Sequence, residues 1–177
     1  DDIACLTVYA NMLVASTAVC EEINGSSVPT GTGIKVSTDR GLNWNSYPQP
    51  IDGNADSIVN YGSNRIYALP VVVRQQNLSY DIAVTRVQND PSNFVIWICS
   101  FAGGLRKSTD YGATWQRVLL PPDNLDSINI NESGYTFGLN PRDNLNHRVF
   151  SIVAVNDSTL YVGTADGINK STSWGVN

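Results

Sequence analysis

Short apolar, β-branched runs alternate with turn residues along the whole chain, and no stretch repeats its apolar positions every 3.6 residues. The runs come in sets. Ile3–Leu6, Leu13–Ala18 and Gly33–Val36 form one. Ile82–Thr85, Trp97–Ala102 and Gly104–Lys107 form a second, and Ile152–Val155, Leu160–Ala165 and Gly167–Lys170 a third. A fourth run follows in the first two sets, around Trp44–Tyr47 and Trp115–Leu120. It ends at Pro48 and Pro50, or at Pro121 and Pro122, which cannot continue a ladder. The pattern predicts units of four antiparallel strands, A to D, with the third set lacking its last strand.

A fixed octad marks each C–D turn. Its copies are Ser37-Thr38-Asp39-Arg40-Gly41-Leu42-Asn43-Trp44 and Ser108-Thr109-Asp110-Tyr111-Gly112-Ala113-Thr114-Trp115, with a broken third, Ser171-Thr172-Ser173-Trp174-Gly175. The residue types suit a tight turn. Asp and Ser/Thr oxygens accept hydrogen bonds from backbone N–H groups inside it, Gly supplies positive φ, and Trp opens strand D with a large apolar face.

This octad resembles the Asp-box, or BNR repeat. That repeat occurs in sialidases, sortilin-type receptors, xyloglucan-cleaving hydrolases, photosystem assembly factors and many bacterial surface proteins. The stretch Asn146–Ser151, followed by Leu160–Thr172, is also similar to the propeller repeats of large secreted bacterial surface proteins. The resemblance implies an all-β fold of four-stranded antiparallel propeller blades, about three in number, within a single segment 1–177. Blade one spans about 1–50, blade two about 79–121 and an incomplete blade three about 148–177, with insertions at 51–78 and 122–147. It also implies that Ser37, Asp39, Gly41, Trp44, Ser108, Asp110, Gly112, Trp115, Ser171 and Gly175 are structural and lie away from any active site.

Closed propellers hold roughly 4–8 blades. Three alternatives therefore stand: an open arc cut from a longer protein, copies that complete a ring or fibre together, or a compact non-propeller β fold.

Composition narrows the partners. The 177 residues carry 16 Asp+Glu against 11 Lys+Arg, and only 15% of them are charged. An acidic chain argues against nucleic acid, and no apolar run reaches the ~18 residues of a membrane span. Cys5, Cys20 and Cys99 form no C-x-x-C pair, and with a single His no metal site is readable. Cys5 and Cys99 read as buried hydrophobes, with a Cys5–Cys20 disulfide as the alternative. No cofactor motif is present.

Alternation of strand direction puts the long insertions 19–32, about 48–78 and about 121–147 on the face opposite the octads. They carry aromatics and arginines, of which Arg65, Tyr67, Arg74, Tyr135, Arg142, His147 and Arg148 are the candidates for holding a glycan, peptide or protein. The competing reading is that these loops only cover one face. A sialidase-like site would need converging arginines with a Tyr–Glu pair, and Arg65-Ile66-Tyr67 only partly echoes that family's Arg-Ile-Pro motif. Asp52, Asp56, Asp81, Asp123 and Glu132 are scattered and read as turn or cap residues rather than paired catalytic acids. Candidate glycosylation acceptors are Asn24, Asn77, Asn131, Asn156 and Asn169. The expectation is a non-enzymatic structural or interaction module of an extracellular or cell-surface protein, with other blades or copies as partners. The alternative is part of a glycan-binding or sialidase-like propeller.

Overall fold

The computed structural model describes residues 1–53, 70–121 and 145–175, and the backbone of 58–61 and 64–67. It is an all-β fold of three blade-like antiparallel sheets, with no α-helix among the described residues. Sheet one is β1 (Asp2–Tyr9), β2 (Met12–Ile23), β3 (Ser26–Ser37) and β4 (Asn45–Pro48), in that spatial order. A separate hairpin, β5 (Ile58–Tyr61) and β6 (Asn64–Tyr67), precedes sheet two. Sheet two is β7 (Ser79–Val87), β8 (Asp90–Ser100), β9 (Gly104–Ser108) and β10 (Gln116–Val118). Sheet three contains β11 (Val149–Ala154), β12 (Leu160–Thr164) and β13 (Gly167–Ser171).

Register makes the repeat quantitative. Leu13 lies opposite Ser37, Ile96 opposite Ser108 and Leu160 opposite Ser171, so each octad serine pairs with the same B-strand position. Each A strand also carries a bulge near its start, between Ile3 and Cys5, Ser79 and Asp81, and Val149 and Ser151. The bulges align Leu6, not Ile3, with Ile82 and Ile152, which corrects the sequence alignment of sheet one by three residues.

Residues 19–32 are not an irregular insertion. β2 and β3 keep pairing out to Ile23 and Ser26, and the chain reverses at Asn24-Gly25 with both φ positive, 51° and 78°. Asn-Gly is the strongest short hairpin signal because both central residues tolerate that conformation. The Cys5–Cys20 alternative is overturned as well. Cys5 pairs with Ser16, Cys20 pairs with Pro29 on the projecting ribbon, and all three cysteines are free.

Two apolar layers join the sheets. Met12, Val14, Ile34 and Val36 of sheet one pack on Ile82, Val84, Ile96 and Ile98 of sheet two. Ala83, Val95, Trp97, Cys99 and Leu105, on the other side of sheet two, pack on Ile152, Leu160 and Val162 of sheet three. Strand alternation thus gives sheet two two buried faces, which is why β8 reads as a continuous apolar run, Val95–Cys99. The junctions also carry polar pins. Ser16 Oγ donates to Ser79 O at 2.7 Å, and the Ile152 N–H donates to Asp81 Oδ2 at 2.8 Å. Asp157 Oδ1 accepts from the Arg86 N–H at 2.9 Å and from the Tyr9 hydroxyl at 3.3 Å, so one loop touches all three sheets.

Candidate functional site

The octads form one bonded turn, built twice in full. Ser37 Oγ accepts from the Gly41 N–H at 2.8 Å and donates to Asp39 Oδ1 at 2.8 Å. Asp39 then accepts from Asn43 N at 2.9 Å and Asn43 Nδ2 at 2.7 Å, and Trp44 Nε1 donates to Gly41 O at 3.0 Å. Ser108, Asp110, Gly112, Thr114 and Trp115 repeat this set, with Gly112 N to Ser108 Oγ again 2.8 Å and Trp115 Nε1 to Gly112 O again 3.0 Å. These bonds hold the Asp39 carboxyl below its usual range, those from Asn43 first. At Asp110, partial burial pulls upward, but the bonds from Thr114 and Ser108 together outweigh it and the net shift is down. The third turn keeps the bonds to its first serine, from Gly175 N to Ser171 Oγ at 3.0 Å and from Ser173 N to Ser171 Oγ at 3.3 Å, while Ser173 stands where the other two turns have the bridging carboxylate.

The glycines do more than bend the chain. At Gly112 (φ 94°) a Cβ would meet Tyr47 and Val36 of sheet one at 3.2–3.3 Å. At Gly175 (φ 67°) it would meet Trp97 of sheet two at 2.5 Å. At Gly41 (φ 86°) it would meet only its own Trp44, at 3.8 Å. Each later octad therefore rests on the preceding sheet, which sequence reasoning, treating the octad as a local pin, did not anticipate.

At the opposite end a buried charge cluster lies between sheets one and two. Asp52, just after β4, accepts from Arg106 Nη1 at 2.7 Å and lies 3.1 Å from Arg117 Nη1. Its second oxygen also accepts from the Val71 N–H at 2.6 Å. Arg106 and Arg117 are neighbours across the β9–β10 ladder and face sheet one. Asp52, read from sequence as a turn or cap acid, is thus the counter-charge to two buried guanidiniums. The signal for it was present but weak: Arg106 beside Leu105 and Arg117 beside Val118, each within a short strand run.

Of the predicted loop-face residues, Arg74, His147 and Arg148 have described side chains. His147 ends a 3-10 turn (Leu145–His147) and turns inward, with Nε2 2.8 Å from Ala102 O and the ring against Gly104. Burial first, then the charges of Arg117 and Arg106, lower its pKa to about 4. Arg148 stays at the surface and lies over Phe101, 5.3 Å from its ring centre. Phe101 meets Phe150 at 5.8 Å, and Phe150 meets Tyr80 at 6.0 Å. Tyr80 and Phe150 are the extra residues of the A-strand bulges and point out at the same level, an arrangement that no sequence motif signalled. Arg74 is exposed in the segment before β7. Arg65 and Tyr67 lie on β6, their side chains outside the described residues, as are Tyr135, Arg142 and Asn131 altogether.

Among the sequons, Asn24 is exposed at a hairpin tip and Asn156 is exposed in a turn. Asn77 is fully buried, donating to Val73 O at 2.9 Å and Pro50 O at 3.2 Å, so it cannot accept a glycan in this fold. Asn169 Nδ2 is engaged with Asn146 Oδ1 at 2.9 Å. No group of three or more His, Cys, Asp or Glu side chains among the described residues could hold a metal ion, and no described helix is long and apolar enough to cross a membrane. The chain matches no protein-family model and no curated protein at a significant level.

Proposed function

We propose that the chain is a segment of an Asp-box β-propeller and serves as a non-enzymatic structural or interaction module of a secreted or cell-surface protein. The observation that carries this reading is the placement of the repeated octads: Gly112 and Gly175 rest on the sheet before them. The recurring motif joins sheets and presents no reactive group. Two buried or half-buried acids have the same character. Asp52 neutralises Arg106 and Arg117, and Asp81 ties β7 to β11. A second reading, a glycan-binding surface, draws on the cluster of Tyr80, Phe101, Phe150 and Arg148, because exposed aromatic faces with a guanidinium suit a sugar ring and its polar groups.

Turnover separates the readings from an enzyme. Incubated with aryl sialosides and other aryl glycosides, the purified chain should release no more phenol than buffer does. Release that disappears in Arg148→Ala or Asp52→Ala would overturn the module reading. Retention on an immobilised polysaccharide, lost in Phe150→Ala, would instead favour the second reading.

A further inference from the structure

The sheets stack with a direction. Sheet one seats sheet two and sheet two seats sheet three, and the same register positions do each job twice. The residue three before the octad serine is Ile34, Leu105 and Ile168 in the three sheets. Ile34 and Leu105 are buried under the following sheet, whereas Ile168 is 79% exposed. Val14, Trp97 and Tyr161 occupy one B-strand position, opposite Val36, Lys107 and Lys170. The first two are buried, and Tyr161 is 38% exposed with Val153 exposed beside it. Sheet three thus presents an uncovered seating face of Val153, Tyr161, Ile168 and Lys170. Lys170 is no obstacle to covering it. It lies 5.6 Å over the Tyr161 ring, and Lys107 lies 5.6 Å over the Trp97 ring inside a formed junction.

Sheet one has the complementary vacancy. Ile82 and Val84 of sheet two, and Ile152 and Ala154 of sheet three, lie against the preceding sheet. Their counterparts in sheet one are Leu6 and Val8, 58% and 67% exposed. The space beside Gly41, filled at Gly112 by Tyr47 and Val36, is open. Trp44 and Leu42 at the same corner are exposed too.

The geometry points to a second copy of this chain as the occupant: the seating face of sheet three in one copy receives the Leu6–Val8 face of sheet one in the next. The inference deepens the module reading and rests on it. The argument for a like copy is that both halves of the contact are already complementary twice within the molecule, at equivalent register positions. Such a contact is heterologous, joining two different faces. Two copies bring six sheets together, within the roughly 4–8 of closed propellers.

Sedimentation of the full chain tests this. The wild-type chain should associate with rising concentration to a multiple of its 19.2 kDa mass. Ile168→Asp blocks one face and Val8→Asp the other. Each alone should weaken self-association at least about thirtyfold, the loss of one hot-spot contact. Mixed in equal amounts, the two variants should form one-to-one dimers, since one retains the seating face and the other the seated face. Both positions are exposed, so folding should survive. Circular dichroism checks it, with Tyr161→Ser and Leu6→Ser as milder replacements. A wild-type chain that stays monomeric at its solubility limit, a single variant that still self-associates, or a mixture that fails to pair would each overturn the inference. A monomer without glycosidase turnover would sink the docking and leave the module reading standing, whereas turnover would sink the module reading itself.

Discussion

The octads at 37–44 and 108–115 have the same internal hydrogen bonds and different surroundings. Ser–Gly, Asp–backbone and Trp–Gly distances agree within a tenth of an ångström. Yet Gly112 is wedged against Tyr47 and Val36, while Gly41 has open space beyond its own Trp44. Tyr111, next to Gly112, stacks edge-on with Phe94 at 6.4 Å, and Arg40 in the same place bonds Asn11 Oδ1 at 2.8 Å. The local turn is therefore a property of eight residues. Its contribution to the fold beyond that depends on whether a neighbouring sheet lies beneath it.

The largest expected effect tests the value of a covered face. Trp97→Ala, at a junction, should destabilise by about 3–5 kcal/mol. Tyr161→Ala, at the equivalent open position, should change the unfolding free energy by less than about 1 kcal/mol in a dilute monomer. Equal losses in urea unfolding would break the comparison.

Acid should distinguish the loop ends of the sheets. The glycine that opens strand C abuts the His147 ring in sheet two (Gly104) but the Tyr47 carbonyl in sheet one (Gly33). The folded state holds His147 neutral down to about pH 4, whereas the unfolded chain takes up its proton near the ordinary histidine value of 6.5. Its contribution is therefore complete above pH 6.5 and is lost as pH falls from there toward 4, by up to about 3 kcal/mol. Unfolding curves from pH 7.5 to 4 should show this loss, and His147→Gln should flatten it. Amide exchange should quicken in β9 before β3.

Alanine at the octad glycines isolates the wedge. Both variants bear the strain of a left-handed residue with a Cβ, about 1–2 kcal/mol. Gly112→Ala should lose about 1–3 kcal/mol more than Gly41→Ala, from overpacking against Tyr47 and Val36. The smallest effect is a matched pair. Ser37→Ala and Ser108→Ala each remove the same bonds and should cost about 1 kcal/mol alike. A clear difference between them would mean that the turns are not locally equivalent.

Much of this was legible in the chain. The octads, the apolar runs and the prolines after strand D gave the three sheets and their C–D turns, because turn chemistry and period-2 patterning act within a few residues. The alignment of sheet one slipped because Ile3–Leu6 and Leu6–Tyr9 are both strand-like runs, and only the pairing of Leu6 with Ala15, equivalent to that of Ile82 with Ile98, fixes the register. Asn24-Gly25 was readable as a hairpin turn but lay inside a polar stretch that resembled a loop. The candidate residues on the loop face fared differently from one another. His147 and Arg148 are adjacent in sequence, yet one goes inside and the other covers Phe101, a choice made by the 3-10 turn and the packing at Gly104.

The sequence by itself determined what depends on near neighbours: the existence of the strands, the turn in which Ser, Asp, Gly and Trp bond one another, and an all-β repeat. Only the tertiary structure decided which face of each sheet is covered, that Asp52 meets Arg106 and Arg117, and that the octad glycine is a contact as well as a bend. The reason is one of distance along the chain. Backbone hydrogen bonds within a turn are satisfied by residues a few positions apart, whereas burial and charge pairing are settled by residues more than fifty positions apart, such as Asp52 and Arg106. The same octad, repeated with the same internal bonds, is a surface corner in sheet one and part of a junction in sheet two.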